Sequence, residues 1–238
     1  DPFQTRRFAE ELGVKVIAMG SQRAGTEDTP RADNSYAYVL DYANQEVYLQ
    51  RLGDYVREWQ PYVWGTSTAD EFQDHQLTLG LKFHYDDDPY PFMEQVDREV
   101  REEFGYGQFG IPESLEDRNP FRWIAYRRWY NDRFVKFQQR IYEMVKGIDE
   151  DLVVVGPDPV SQIQPFDYSG YGRWCDVVTH QTYPRGPMEQ DVAWITKTVR
   201  DLSGVPTMPC THVENYANSF RPDEVRELMS QVYRGGGE

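Results

Sequence analysis

Short β-rich runs alternate along this chain with long amphipathic helices, and no other feature restricts its fold as much. Such alternation is the signature of βαβ units wound around a parallel sheet. Phe3 to Leu12 reads as the end of a helix closed by Gly13 at the C-cap, and Val14 to Met19 as a strand. Asn44 to Gln60 repeats apolar residues at 48, 52, 55, 56 and 59, one helical face, and leads into a second strand over Pro61 to Ala69. Residues 73 to 119 form a long insertion, with the acidic run Asp86-Asp87-Asp88, a helix near Phe92 to Phe104 and a Gly-rich stretch ending at Asn119-Pro120. A loop of that length at a strand's C-terminal end either shapes a binding site or is a solvated excursion. From Pro120 a helix runs to about Lys146, with apolar positions 130, 134, 137, 141 and 145 continued by 148, and Gly147 marks its end. Leu152 to Gly156, Asp176 to Thr182 and Thr207 to Val213 read as strands, with Met188 to Ser203 a helix between the last two. Arg221-Pro222-Asp223-Glu224 opens a final helix carrying Val225, Leu228, Met229 and Val232 on one face.

Five strands, each followed by a helix or a helix-containing loop, predict an α/β fold of the (β/α)8 TIM-barrel kind. A complete barrel takes roughly 250 residues, so the expectation is an incomplete segment covering strands 3 to 7. A doubly wound open sheet is the alternative. All 238 residues are assigned to one partial-barrel domain, with the insertion at about 73–119. The chain starts at Asp1 without an initiator Met and ends at Gly235-Gly236-Gly237-Glu238, which reads as a segment of a longer protein.

Charge narrows the partners. A net charge of −15 repels nucleic-acid phosphates and anionic membrane surfaces at long range, so neither is expected as a partner. No run of about 18 apolar residues predicts a transmembrane helix. Cys175 and Cys210 are the two cysteines, too few for a disulfide framework and without a CxxC metal pattern. Aromatic residues make up 15% of the chain, which suits stacking on sugar rings and equally suits a core. A homo-oligomer formed through the parent protein is compatible with the sequence.

In a barrel of this kind, catalytic groups sit at the C-terminal ends of strands. Those ends are polar here: Gly20-Ser21-Gln22-Arg23, Asp70-Glu71, Pro157-Asp158, His180-Gln181-Thr182-Tyr183-Pro184 and His212-Val213-Glu214-Asn215. Glu71 and Glu214 are the candidate catalytic pair, because two carboxylates across a pocket are the minimal equipment for cleaving a glycosidic bond. Trp64, Trp174 and Tyr216 are sugar platforms or core residues. His75, His84, His180 and His212 include two at strand ends, but lack the His-x-His and HExxH patterns of a metal site. Asp86-Asp87-Asp88 lacks the ligand spacing and glycine of a calcium loop. Cys210 reads as a small hydrophobe beside Met208, and Ser21 lacks the GxSxG elbow of a serine hydrolase. No metal site and no cofactor is expected.

Four stretches together resemble glycoside hydrolase family 42. They are Gly20-Ser21-Gln22-Arg23; the helix Asn44 to Gln60 with Pro61-Tyr62-Val63-Trp64-Gly65-Thr66-Ser67-Thr68-Ala69-Asp70-Glu71; Asp176-Val177-Val178-Thr179-His180-Gln181-Thr182-Tyr183-Pro184; and Glu214-Asn215. That family belongs to the clan of retaining glycosidases with (β/α)8 barrels and includes many β-galactosidases. The resemblance implies that Glu71, ending the fourth barrel strand, is the acid/base and that Glu214, ending the seventh, is the nucleophile. It implies a carbohydrate substrate, with Tyr183 near the nucleophile and Arg23 in the substrate pocket. Asp70, His180, Asn215 and Trp64 complete the expected substrate-binding set. The family has Asn immediately before the acid/base, where this chain has Asp70. An Asn side chain donates to a sugar hydroxyl whereas an ionised Asp only accepts, so the exchange bears on substrate choice and competence. An inactive carbohydrate-binding barrel is the alternative function, and a metal-dependent barrel hydrolase using His180 and His212 the next.

Overall fold

The computed structural model describes residues 2–19, 42–68, 93–103, 110–114, 116–156, 167–182, 191–212 and 219–238. Helix α1 (Pro2–Leu12) ends at Gly13, whose φ of 61° supplies the left-handed stop. Strand β1 (Ile17–Met19) and helix α2 (Tyr42–Trp59) follow. The apolar spacing of α2 buries Tyr48, Leu52 and Val56, while Tyr55 and Trp59 pair their rings at 5.6 Å on a half-buried flank.

The second strand is shorter than its sequence suggested. Gln60–Tyr62 forms a 3-10 turn and β2 spans Gly65–Ser67. Pro61 has no N–H for a ladder and its fixed φ suits the helical turn that ends α2. Within the insertion, helix α3 (Met93–Glu103) packs on α4 (Pro120–Ile148). Val96, Val100 and Ile111 enter the core, and Arg133 of α4 reaches Glu103 at 2.7 Å. The described part of the insertion is therefore bound into the protein. Asp86-Asp87-Asp88 lies outside the described residues.

Asn119 caps α4 by accepting from the Phe121 N–H, with Pro120 in the first turn. Tyr130, Phe134, Phe137, Ile141 and Val145 form its buried stripe as their period required. Gly147 does not stop the helix, which continues to Ile148 and closes where the Asp149 N–H meets the Val145 carbonyl. A helical glycine costs only about 1 kcal/mol, which the packed stripe offsets. Beyond lie β3 (Val153–Val155), a short α5 (Tyr168–Tyr171), a 3-10 turn (Gly172–Trp174), β4 (Val178–Thr182), α6 (Asp191–Ser203), β5 (Thr207–Thr211) and α7 (Pro222–Arg234). Leu228 and Gln231 are the buried positions of α7, while Met229 is exposed.

Among the described residues, all strand pairs are parallel and follow chain order. Ile17, Gly65 and Val153 stand in register across β1, β2 and β3. Val178 to Thr182 pair with Thr207 to Thr211 across β4 and β5. A parallel bridge from Val155 to Val177 joins the two small sheets, reinforced by the Gly156 N–H donating to the Val177 carbonyl at 2.7 Å. A doubly wound sheet reverses its strand order at a switch point, and no reversal occurs among the described strands. The strands are short and most of the described residues are helical. No helix among them is long and apolar enough to cross a membrane.

Candidate functional site at the strand ends

Alternate residues of a strand point to opposite faces, so the described strands can be divided into a helix side and an open side. Val154 and Val178 belong to the buried cluster built with α4 and α6. Thr66, Thr68, His180 and Thr182 share their parity, hence their face. Cys210, in register with Gln181, lies on the other face and is exposed. It is therefore not packed as a core hydrophobe. Cys175 is the buried thiol, pushed up by desolvation and by the neighbouring Asp176 charge, so it stays protonated and unreactive.

The C-terminal edge carries a set of anchored threonines that sequence reading did not single out. Thr68, just beyond β2, is fully buried. Its N–H donates to the Val155 carbonyl at 3.1 Å, its carbonyl accepts from the Tyr48 hydroxyl at 2.8 Å, and its hydroxyl lies 3.2 Å from the Gln138 side-chain oxygen. At the far end of the arc the Thr182 hydroxyl meets that of Thr211 at 3.2 Å, and the His212 N–H donates to the Thr182 carbonyl. A repeated Thr-x-x-Glu spacing, Thr68-Ala69-Asp70-Glu71 and Thr211-His212-Val213-Glu214, was the available signal. It is easily taken for the capping box that opens a helix, but here each threonine closes a strand.

His180 does not stand in an open pocket. It is fully buried on the helix side of β4, opposite Pro209 in register. Pro209 and Thr196 of α6 both lie 3.1 Å from the point a Cβ on Gly237 would occupy, which places this face against α6 and the chain's end. Desolvation pulls the imidazole pKa down to about 4, so the ring is neutral near pH 7. As a core residue it faces the helices rather than the opposite face of β4.

Trp64 is at the opposite edge from Thr68. It precedes β2, its N–H donates to the Val16 carbonyl, and the Lys15 ammonium sits 4.3 Å from its ring centroid. With Glu10, Tyr62 and Val63 it lines a cleft of about 340 Å³ at the N-terminal side of the sheet. Trp174 is half-buried and meets Tyr142 edge-on at 6.2 Å, a packing role. The same N-terminal side holds Asp176, which accepts from the Val154 N–H at 2.8 Å, from Tyr142, and from Lys146 at 2.7 Å. Such a bolt ties β3, β4 and α4 together and serves stability.

Of the expected site residues, Arg23, Asp70, Glu71, Tyr183, Glu214 and Asn215 lie outside the described residues, as do Tyr216, His75, His84, Ser21 and Asp158. What the structure does place is the ground from which the two glutamates depart. Thr68 closes β2 and Thr211 closes β5, both on the C-terminal edge of one parallel arrangement with β3 and β4 between them.

No protein-family model and no curated protein sequence matches the chain. Solved structures do. The β-galactosidase of psychrophilic Marinomonas ef1 aligns with a TM-score of 0.67 at 14% identity, over 97% of this chain and 44% of that one. The β-galactosidase of Bacillus circulans sp. alkalophilus aligns at 0.65 and 16% identity, over 100% and 42%. The agarase AgWH50C aligns at 0.64 and 11% identity, over 95% and 38%. The chain thus spans between 38% and 44% of the length of these structures. At such identities the likeness is one of fold, shared with part of several glycosidases.

Proposed function

We propose that the chain is the central part, strands 3 to 7, of the (β/α)8 barrel of a retaining glycoside hydrolase acting on β-galactosides. The observation that carries this reading is that Thr68 and Thr211, each three residues before a candidate glutamate, close strands on the same edge of one parallel arrangement whose fold is shared with β-galactosidases and an agarase. The Thr-x-x-Glu spacing, repeated after both strands, adds support.

In the proposed reaction the Glu214 carboxylate attacks the anomeric carbon while the Glu71 carboxylic acid protonates the departing glycosidic oxygen. Glu71, now ionised, then takes a proton from water. That water attacks the same carbon and releases Glu214. Glu71 must therefore start protonated, and the like charges of Asp70 and Glu214 disfavour its ionisation. Tyr183 and Asn215 are assigned as donors to the nucleophile, and Arg23 and Asp70 as contacts to sugar hydroxyls. Replacing Glu214 by Ala should abolish hydrolysis of an aryl β-galactoside in the full-length protein. Glu71→Ala should be slow and be partly rescued by azide, with a galactosyl azide as product. Unchanged turnover in either variant would sink the assignment.

Asp70 favours a second reading, a barrel that binds sugar without cleaving it, since the family's amide donor is replaced by an acceptor. Saturable galactoside binding with no hydrolysis by the full-length protein would select it.

A further inference from the structure

The end of β2 is fastened by a buried polar relay whose geometry exceeds what packing alone requires. Gln138 interrupts the apolar stripe of α4 and is almost completely buried. An amide in such a place destabilises the fold unless both its ends are bonded. Both are: its nitrogen donates to the Trp174 carbonyl at 2.9 Å and its oxygen faces the Thr68 hydroxyl at 3.2 Å. The Trp174 carbonyl can only accept, which fixes the amide's orientation and makes the Thr68 hydroxyl a donor, shared between the Gln138 oxygen and the Val155 carbonyl, both at 3.2 Å. Tyr48 of α2 meanwhile donates to the Thr68 carbonyl, and β3 accepts the Thr68 N–H. All three polar groups of Thr68 are thus committed to three different elements.

We infer that Thr68, Gln138 and Tyr48 are positioning residues for the acid/base, holding the point from which Ala69-Asp70-Glu71 departs. The inference rests on the assignment of Glu71 as acid/base. A general acid works only with its proton in hydrogen-bond reach of the departing oxygen, and a displacement of about 1 Å can cost on the order of 100-fold in rate. A residue pinned in three directions immediately before the acid supplies that accuracy. All three are buried, so their part is placement.

Acid placement has a signature that loss of fold lacks. Protonation matters most for a poor leaving group and little for a good one, so a misplaced acid penalises phenyl β-galactoside more than 2,4-dinitrophenyl β-galactoside. In the full-length protein, Thr68→Val and Gln138→Leu should lower kcat/KM for the phenyl substrate by about tenfold more than for the dinitrophenyl substrate. Thr68→Ser, which keeps the hydroxyl, should restore the parent ratio. Tyr48→Phe removes a single oxygen and serves where the first two variants do not fold. Equal losses on both substrates in every folded variant would overturn the inference. If Glu71→Ala itself leaves the ratio unchanged, the acid/base assignment fails instead, so the two failures are told apart.

Discussion

His180 shows how burial sets the chemistry open to one side chain. Its imidazole lies between β4 and α6 with no measurable exposure, and desolvation holds the pKa near 4 against an ordinary 6.5. The unfolded chain therefore binds a proton below pH 6.5 that the folded protein refuses until about pH 4. Stability conferred by the neutral ring is complete above 6.5 and declines as the pH falls through that window. At 1.36 kcal/mol per unit the full loss is about 3 kcal/mol. Urea unfolding at pH 7.5 and 4.5 should show the parent losing about 2 to 3 kcal/mol more than His180→Gln, because carboxylate contributions are common to both. Identical losses would place the imidazole in contact with water. Thr68 makes the complementary case, a neutral side chain whose value comes wholly from the partners that surround it.

Among elements, the parallel strands are held at their N-terminal side by Asp176 and at their C-terminal side by hydroxyl contacts. Asp176 accepts from the Val154 N–H and pairs with Lys146 and Tyr142. Lys146 has alternative acceptors in the Leu152 and Glu150 carbonyls. Removing the acceptor is therefore worse than removing the cation. Asp176→Ala should cost about 2 to 4 kcal/mol, and Lys146→Met about 1 kcal/mol. Urea midpoints check the order, and a Lys146→Met protein less stable than Asp176→Ala would contradict it. The helical elements were legible in the sequence wherever an apolar period of 3.6 ran long enough, as in α2 and the stripe of α4. The five strands were legible in place but not in length, since the three-residue ladders of β1, β2 and β3 leave almost no period and Tyr62, Val63 and Trp64 carry strand-like composition through the turn before β2. Gln138 drew no notice in the sequence because its partners, Thr68 and Trp174, are distant along the chain. Trp64 and His180 were drawn to the site by residue type. Only the direction of β2 and the parity of β4 reveal that one is at the wrong edge and the other faces the helices.

At the scale of the whole molecule, the distance between the two proposed carboxylates is a property of curvature. Adjacent strands lie about 4.8 Å apart, so β2 and β5 of a flat sheet would be separated by about 14 Å. Double displacement needs carboxyl groups about 5 to 5.5 Å apart, whereas inversion leaves about 6.5 to 9.5 Å for a water. A flat arrangement supports neither, and a sheet curled into a barrel shortens the chord between these strands while turning their open faces toward one another. The proposed retention therefore requires closure that brings the two glutamates to the shorter of these separations. For the full-length protein, proton NMR during hydrolysis of a β-galactoside should show the β-anomer of galactose first, with the α-anomer growing in only by mutarotation. A 2-deoxy-2-fluoro galactoside with a good leaving group should in addition accumulate as a covalent adduct, and the labelled peptide should contain Glu214. An α-anomer formed first would mean a wider pocket and an inverting reaction. A β-anomer with the label on a different carboxylate would keep the curvature argument and move the nucleophile to another strand end.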